Sequence, residues 1–139
     1  MNRLEEAILK FQQEEINQHE VYSRLSRKAK GSNRKVLKNI SEDELEHYHF
    51  WKKHSQKEVK PERAYALKYD LLSFIFGFIF TIKLMEANEK KAQKEYEQIS
   101  QQIPEAKEYI IDEEQHEASL IAIIDEKRLS YLEVILRFK

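Results

Sequence analysis

The sequence predicts an all-α fold, an antiparallel four-helix bundle with a crossover segment between its second and third helices. Gly and Pro occur only twice each in 139 residues, so little punctuates the chain. Apolar residues recur at alternating steps of three and four, the period of a helix that buries one face. No stretch shows the apolar–polar alternation of a half-buried strand.

The length suits a single domain covering residues 1–139, with enough chain to bury a core. Formal net charge is −1 although 35% of residues are charged, and Lys and Arg alternate broadly with Glu. There is no bulk basic field, so no nucleic-acid partner is expected. Cysteine is absent, which excludes disulfides, thiolate metal sites and a cysteine nucleophile. The opening MNRLEEAILKF is amphipathic and acidic, unlike a signal peptide, and a cytoplasmic setting is expected. The most apolar stretch, residues 71–82, is closed by Lys83 and Glu86. It falls short of the roughly 20 apolar residues of a membrane span, and so predicts a helix buried on several sides.

Helix A is expected over residues 2–30. Its stripe reads Leu4, Ile8, Phe11, Glu15, Gln18, Tyr22, Leu25, Ala29, which places Glu15 where a core residue belongs. Gly31-Ser32-Asn33 ends this helix and caps the next. Helix B, residues 34–55, carries Leu37, Ile40, Glu44, His47, Trp51 and His54 on one seam, and Lys60-Pro61 marks the break after it.

Residues 62–102 are helical in pattern, with Gly77 as an interior interruption. Roughly 60 Å of helix is too long for a small bundle, so a bend is expected at residues 70–73. A crossover helix would precede it, and helix C follow with the stripe Ile75, Phe78 or Ile79, Ile82, Glu86, Glu89, Gln93, Tyr96. Pro104 opens helix D, whose seam reads Ala106, Tyr109, Glu113, His116, Leu120, Ile123.

One pattern recurs. Residues 43–47 read DELEH and residues 112–116 read DEEQH. Glu44 and His47 share a helix face one turn apart, as do Glu113 and His116. With Glu15 and Glu86 on the other two seams, four carboxylates and two imidazoles face one core. An unpaired buried carboxylate costs several kcal/mol. Four ionised Glu carry four negative charges and two divalent cations carry four positive ones, so a two-metal site closes the balance. Asp43 and Asp112 each precede a His by four residues, and a carboxylate there could orient the metal-bound imidazole from behind. Glu46-x-x-His49 is a third match to the pattern, but it points away from the helix B seam and is taken as chance. Mostly carboxylate ligands favour iron over zinc, and manganese has similar tastes.

In this order the residues resemble the ferritin-like di-iron carboxylate proteins. Tyr22, seven residues after Glu15, and Glu89, three after Glu86, resemble the rubrerythrin (erythrin) branch. DELEHYHFWKK and KLMEANEKKAQKEYEQI look like the erythrin domain that precedes some iron-transporter membrane domains. The resemblance implies two iron ions bridged by Glu44 and Glu113. Glu15 and Glu86 would be terminal or partly bridging ligands, and His47 and His116 one terminal ligand each. Glu89 would be an extra ligand that exchanges with the helix B His, and Tyr22 a hydrogen-bond partner of the carboxylate shell. The chain departs from full rubrerythrins in lacking the four cysteines of a rubredoxin-like site, so an external electron donor is implied. It departs from the transporter fusions in ending at ILRFK without membrane segments.

The expected function is a di-iron oxidoreductase, a peroxidase or ferroxidase in which ferrous iron meets peroxide or dioxygen. The alternative is an iron-binding or iron-sensing module that hands iron or a signal to a partner. A third reading keeps the bundle without a metal. LLSFIFGFIF and LIAII carry more apolar surface than one seam buries, which predicts a homodimer or a partner site.

Overall fold

The Asn2 side chain accepts the Glu5 backbone N–H at 2.8 Å, and this cap starts α1 (Arg3–Lys28). The structure is a computed structural model that describes residues 1–137. Glu5 and Glu6 in the first turn and Arg27 and Lys28 in the last complement the helix dipole. Gly31, at φ +62°, takes the left-handed conformation that turns the chain into α2 (Ser32–Ser55). α1 and α2 pack as a hairpin. Its core includes Ile8, Phe11, Leu25, Leu37, Ile40 and Trp51, with Phe11 stacked on Trp51 at 4.8 Å between ring centroids.

α3 (Arg63–Phe76) runs alongside α1 in the same direction. Asn17 meets Glu62, Gln18 meets Tyr65 and Arg24 meets Asp70, a nearly constant offset along both elements. Ala66 and Tyr69 are its buried residues. Leu67, Leu71, Phe74, Ile75 and Phe76 are exposed. The apolar stretch expected to be buried on several sides is therefore partly open, because α3 turns only one narrow face inward.

Gly77, at φ +95°, separates α3 from α4 (Phe78–Ile99). The break expected at residues 70–73 falls here instead, at a positive φ that a residue with a Cβ rarely adopts. A 3-10 turn at Pro104–Lys107 precedes α5 (Glu108–Arg137), so the helix predicted to open at Pro104 begins with one tighter turn. α4 and α5 pack as a second hairpin, in which Ile82, Met85, Tyr96, Leu120 and Ile123 are buried. From Asp125 onward the described residues of α5 are exposed.

The chain divides into two compact units, Met1–Leu71 and the residues from Leu72 onward. The described residues are almost all helical and contain no strand. No helix among them is long and apolar enough to cross a membrane.

Candidate metal centre

In the first hairpin the α1 stripe carries Glu15 inward and the α2 stripe carries Glu44 and His47. All three are buried, at 3%, 1% and 0% exposure. Side chains seven residues apart from Ile8 and four from Phe11 share that face, so burial of Glu15 follows from the packing of its apolar neighbours. His47 Nδ1 lies 3.3 Å from Glu15 Oε2 and 3.4 Å from Glu44 Oε1. Each of the three offers a ligand atom within 4.8 Å of the others.

The second hairpin repeats this. Glu113 and His116 on α5 and Glu89 on α4 are buried, at 1%, 3% and 2% exposure. His116 Nδ1 lies 3.5 Å from Glu89 Oε2, and again one ligand atom of each lies within 4.8 Å of the others.

On α4 the sequence reading named both Glu86 and Glu89 as ligands. Glu89 joins His116, whereas Glu86 is half-buried beside Glu117. The buried stripe of α4 reads Ile82, Met85, Glu89, Tyr96, Ile99, a three–four spacing that excludes Glu86. The sequence stripe carried both Glu86 and Glu89 after Ile82. Steps of seven from Ile82 lead to Glu89 and Tyr96, with Met85 in the turn between, and that is the edge the structure buries.

Burial, and then the shared hydrogen bond and charge of Glu117, raise the Glu86 carboxyl above the ordinary range. Gln93 donates to Glu117 Oε1 at 3.0 Å and reaches the Glu113 carbonyl at 3.5 Å, which ties this outer pair to the α5 backbone at the triad.

Tyr22 is fully buried, seven residues after Glu15. Tyr96 is equally buried and follows Glu89 by seven. The two hairpins thus share one formula, Glu-x6-Tyr on the first helix and Glu-x-x-His on the second. That spacing is visible in the sequence and identifies Glu89 as the counterpart of Glu15. Asp43 and Asp112 are half-buried, each one residue ahead of its Glu. Glu46 and His49 are exposed, as is His54, whose ring stacks edge-on against Phe50 at 5.0 Å.

Sequence reasoning did not reach Tyr65. It sits on α3 and accepts a hydrogen bond from Gln18 Nε2 at 2.9 Å. Burial first, then Tyr69, Glu14 and Glu44, push its phenol far above the ordinary tyrosine range, so it stays neutral. Its place beside Glu44 depends on how α3 folds back on α1, which spacing alone does not reveal.

The donor set could hold a metal ion. Ligand atoms held about 2.0–2.2 Å from one ion stand roughly 3.0–3.5 Å apart, and the His–Glu separations of 3.3, 3.4 and 3.5 Å fall in that interval. No family model, curated protein or solved structure matches the chain.

Proposed function

We propose that the two Glu-Glu-His triads join, in a ferritin-like antiparallel four-helix bundle, to hold two iron ions. We further propose that the protein is a rubrerythrin-like oxidoreductase toward peroxide or dioxygen. The observation that carries this reading is the repetition of a buried triad in both hairpins. A single buried acid can be a packing accident. Two copies, each with a His at contact distance from a carboxylate, make a donor set that water does not solvate and a cation does.

Glu15, Glu44 and His47 would hold metal on one side, and Glu89, Glu113 and His116 on the other. Four carboxylates balance two divalent ions, and neutral imidazoles leave that balance unchanged. Bound iron would supply one-electron chemistry toward an oxidant. The chain's part is to exclude bulk water and fix the ligand atoms before metal arrives. Tyr22, buried a turn and a half or more beyond Glu15, would steady the carboxylate shell as a hydrogen-bond donor. Glu86 stands outside the ligand set. With no cysteine among these residues, no thiolate-held iron site within them could supply electrons, and repeated turnover would draw on another donor.

Anaerobic ferrous titration followed by stopped-flow mixing with hydrogen peroxide tests the reading. Two irons bound per chain and rapid oxidation are expected. Fewer than two irons, or oxidation no faster than that of free ferrous ion, removes it. A reductant added under excess peroxide then separates an enzyme from a metal carrier, since a carrier oxidises once and stops.

A further inference from the structure

Two tyrosines of α3 take no part in the metal centre proposed above. Tyr65 and Tyr69 stand four residues apart, so their rings lie one above the other on a helix face. The ring centroids are 5.0 Å apart and the planes cross at 48°, well within aromatic contact. The two phenols also share a hydrogen bond. Rings in contact, with their hydroxyls held together, bring the carbons ortho to those hydroxyls toward each other.

Tyr65 links this pair to the first triad. Gln18 Nε2 donates to the Tyr65 hydroxyl at 2.9 Å, and Gln18 follows Glu15 by three residues, or about one helical turn. The charges of Glu14 and Glu44 bear on the same phenol. Lys68 Nζ lies over both rings, 5.2 Å and 4.9 Å from their centroids. A cation there opposes positive charge on either ring, so a phenol that gives up an electron gives up its proton as well. Cysteine, whose thiolate otherwise takes up oxidising equivalents, does not occur among these residues. That leaves aromatic side chains to take them up.

We propose that Tyr65 and Tyr69 are a sacrificial reductant pair beside the first triad, which peroxide converts into a dityrosine within one chain. A carbon–carbon bond forms between the ring positions ortho to the two hydroxyls, and each ring loses one hydrogen. The two electrons and two protons released reduce one hydrogen peroxide, whose O–O bond breaks, to two waters. Both hydroxyls survive in the product, so atoms and electrons balance. The step rests on metal held by Glu15, Glu44 and His47, as proposed for the function, and returns that metal unchanged. It occurs once per chain and stands apart from turnover on an outside donor. Tyr96 and Tyr109 of the second hairpin give the contrast. Their centroids are 6.5 Å apart and their planes cross at 64°, edge toward face, an arrangement that does not bring ortho carbons together.

Mass spectrometry and fluorescence of the full chain test this in two arms. Iron-loaded protein given excess hydrogen peroxide and no reductant should become lighter by two hydrogens and gain dityrosine fluorescence. Trypsin, which cuts after Lys68, should then release the peptides on either side of that residue as one joined product. Metal-free protein exposed to light, tris-bipyridyl ruthenium and persulfate should form the same link, because the pairing of the rings is built into α3. Tyr69→Phe keeps the ring and should lose the link in both arms while still binding iron. Iron oxidised by peroxide with no link formed overturns the proposal and leaves the metal centre standing. Iron that does not react removes the metal centre, and this step with it. Absence of the link in the photochemical arm overturns the pairing itself. A link between two chains, or oxygen added to Trp51 in place of the link, overturns the proposal as well.

Discussion

The two hairpins bury the same triad and surround it with different chemistry. On the helices that carry Glu15, Glu44 and His47, buried amides and a hydroxyl are tied to backbone. Gln12 donates to the Lys57 carbonyl at 2.8 Å. Asn17 accepts the Glu62 N–H at 2.8 Å and donates to the Glu62 carboxylate at 3.0 Å. Ser41 Oγ donates to the His19 carbonyl at 2.9 Å, while the His19 ring lies 2.7 Å from the Ser41 carbonyl oxygen. These bonds join α1 to α2 and to the segment leading into α3. Beside Glu89, Glu113 and His116 stands a second pair of acids, Glu86 and Glu117, with Gln93 against it. The first hairpin is thus cross-tied by amides and a hydroxyl, and the second carries an additional acid pair on the helices of its triad. The contrast leads us to expect the first hairpin to hold its ligands more firmly in place, and the second to gain more when positive charge arrives.

Neutralising the ligands breaks this contrast most strongly. Glu15→Gln with Glu44→Gln, or Glu89→Gln with Glu113→Gln, should each abolish tight ferrous binding, with affinity falling at least a hundredfold by calorimetric titration. In metal-free protein both pairs should raise stability, because like charges are removed without leaving a cavity. Relief of buried charge is worth about 1–4 kcal/mol, and the α4–α5 pair should gain the more of the two in urea melts. Equal gains would mean that the outer acids leave the second triad's field unchanged.

Next in size is the network itself. Asn17 is 4% exposed, and Asn17→Ala strips the partner from the Glu62 N–H. Glu62 itself is exposed, so losing the bonds from Asn17 to its N–H and carboxylate costs about 0.5–1.5 kcal/mol each. Gln93→Ala, which removes a half-buried amide between acids, should cost less than about 1 kcal/mol. Thermal unfolding of the two variants at one pH measures the difference. A larger loss from Gln93→Ala would reverse the assignment of the network to the first hairpin.

These contrasts separate what residue spacing can convey from what it cannot. The burial of Glu15, Glu44, His47, Glu113 and His116 is readable in the sequence because each stands on an unbroken three–four stripe, where apolar neighbours compel the direction of the side chain. Glu86 and Glu89 are not separable that way. Both lie within one turn of the same stripe, and the choice falls to the packing of Ile82 and Met85, whose buried edge continues through Glu89. The bend moved because backbone conformation at a single glycine outweighs the length argument that placed it earlier. The open face of α3 depends on which partner a helix meets, and an apolar run carries no record of that.

The smallest effect concerns Glu86, and pH gives its sign. Its carboxyl is raised by burial and by Glu117, with Lys90 opposing. Ionisation is therefore harder in the folded chain than in the unfolded one. Below the ordinary carboxylate range both states are protonated and the group contributes no penalty. As pH climbs from that range through the raised value, the unfolded state releases its proton first and folding stability falls. Above both values the loss is constant. Glu86→Gln removes this penalty, and because the side chain is only half-buried the gain at neutral pH should stay under about 1 kcal/mol. The gain should vanish in acid, where wild type and variant converge. Denaturant melts of both proteins across the acid-to-neutral range read this directly. A variant that is stabilised equally at all pH values would show that packing, and not the shared charge with Glu117, governs that edge of the second hairpin.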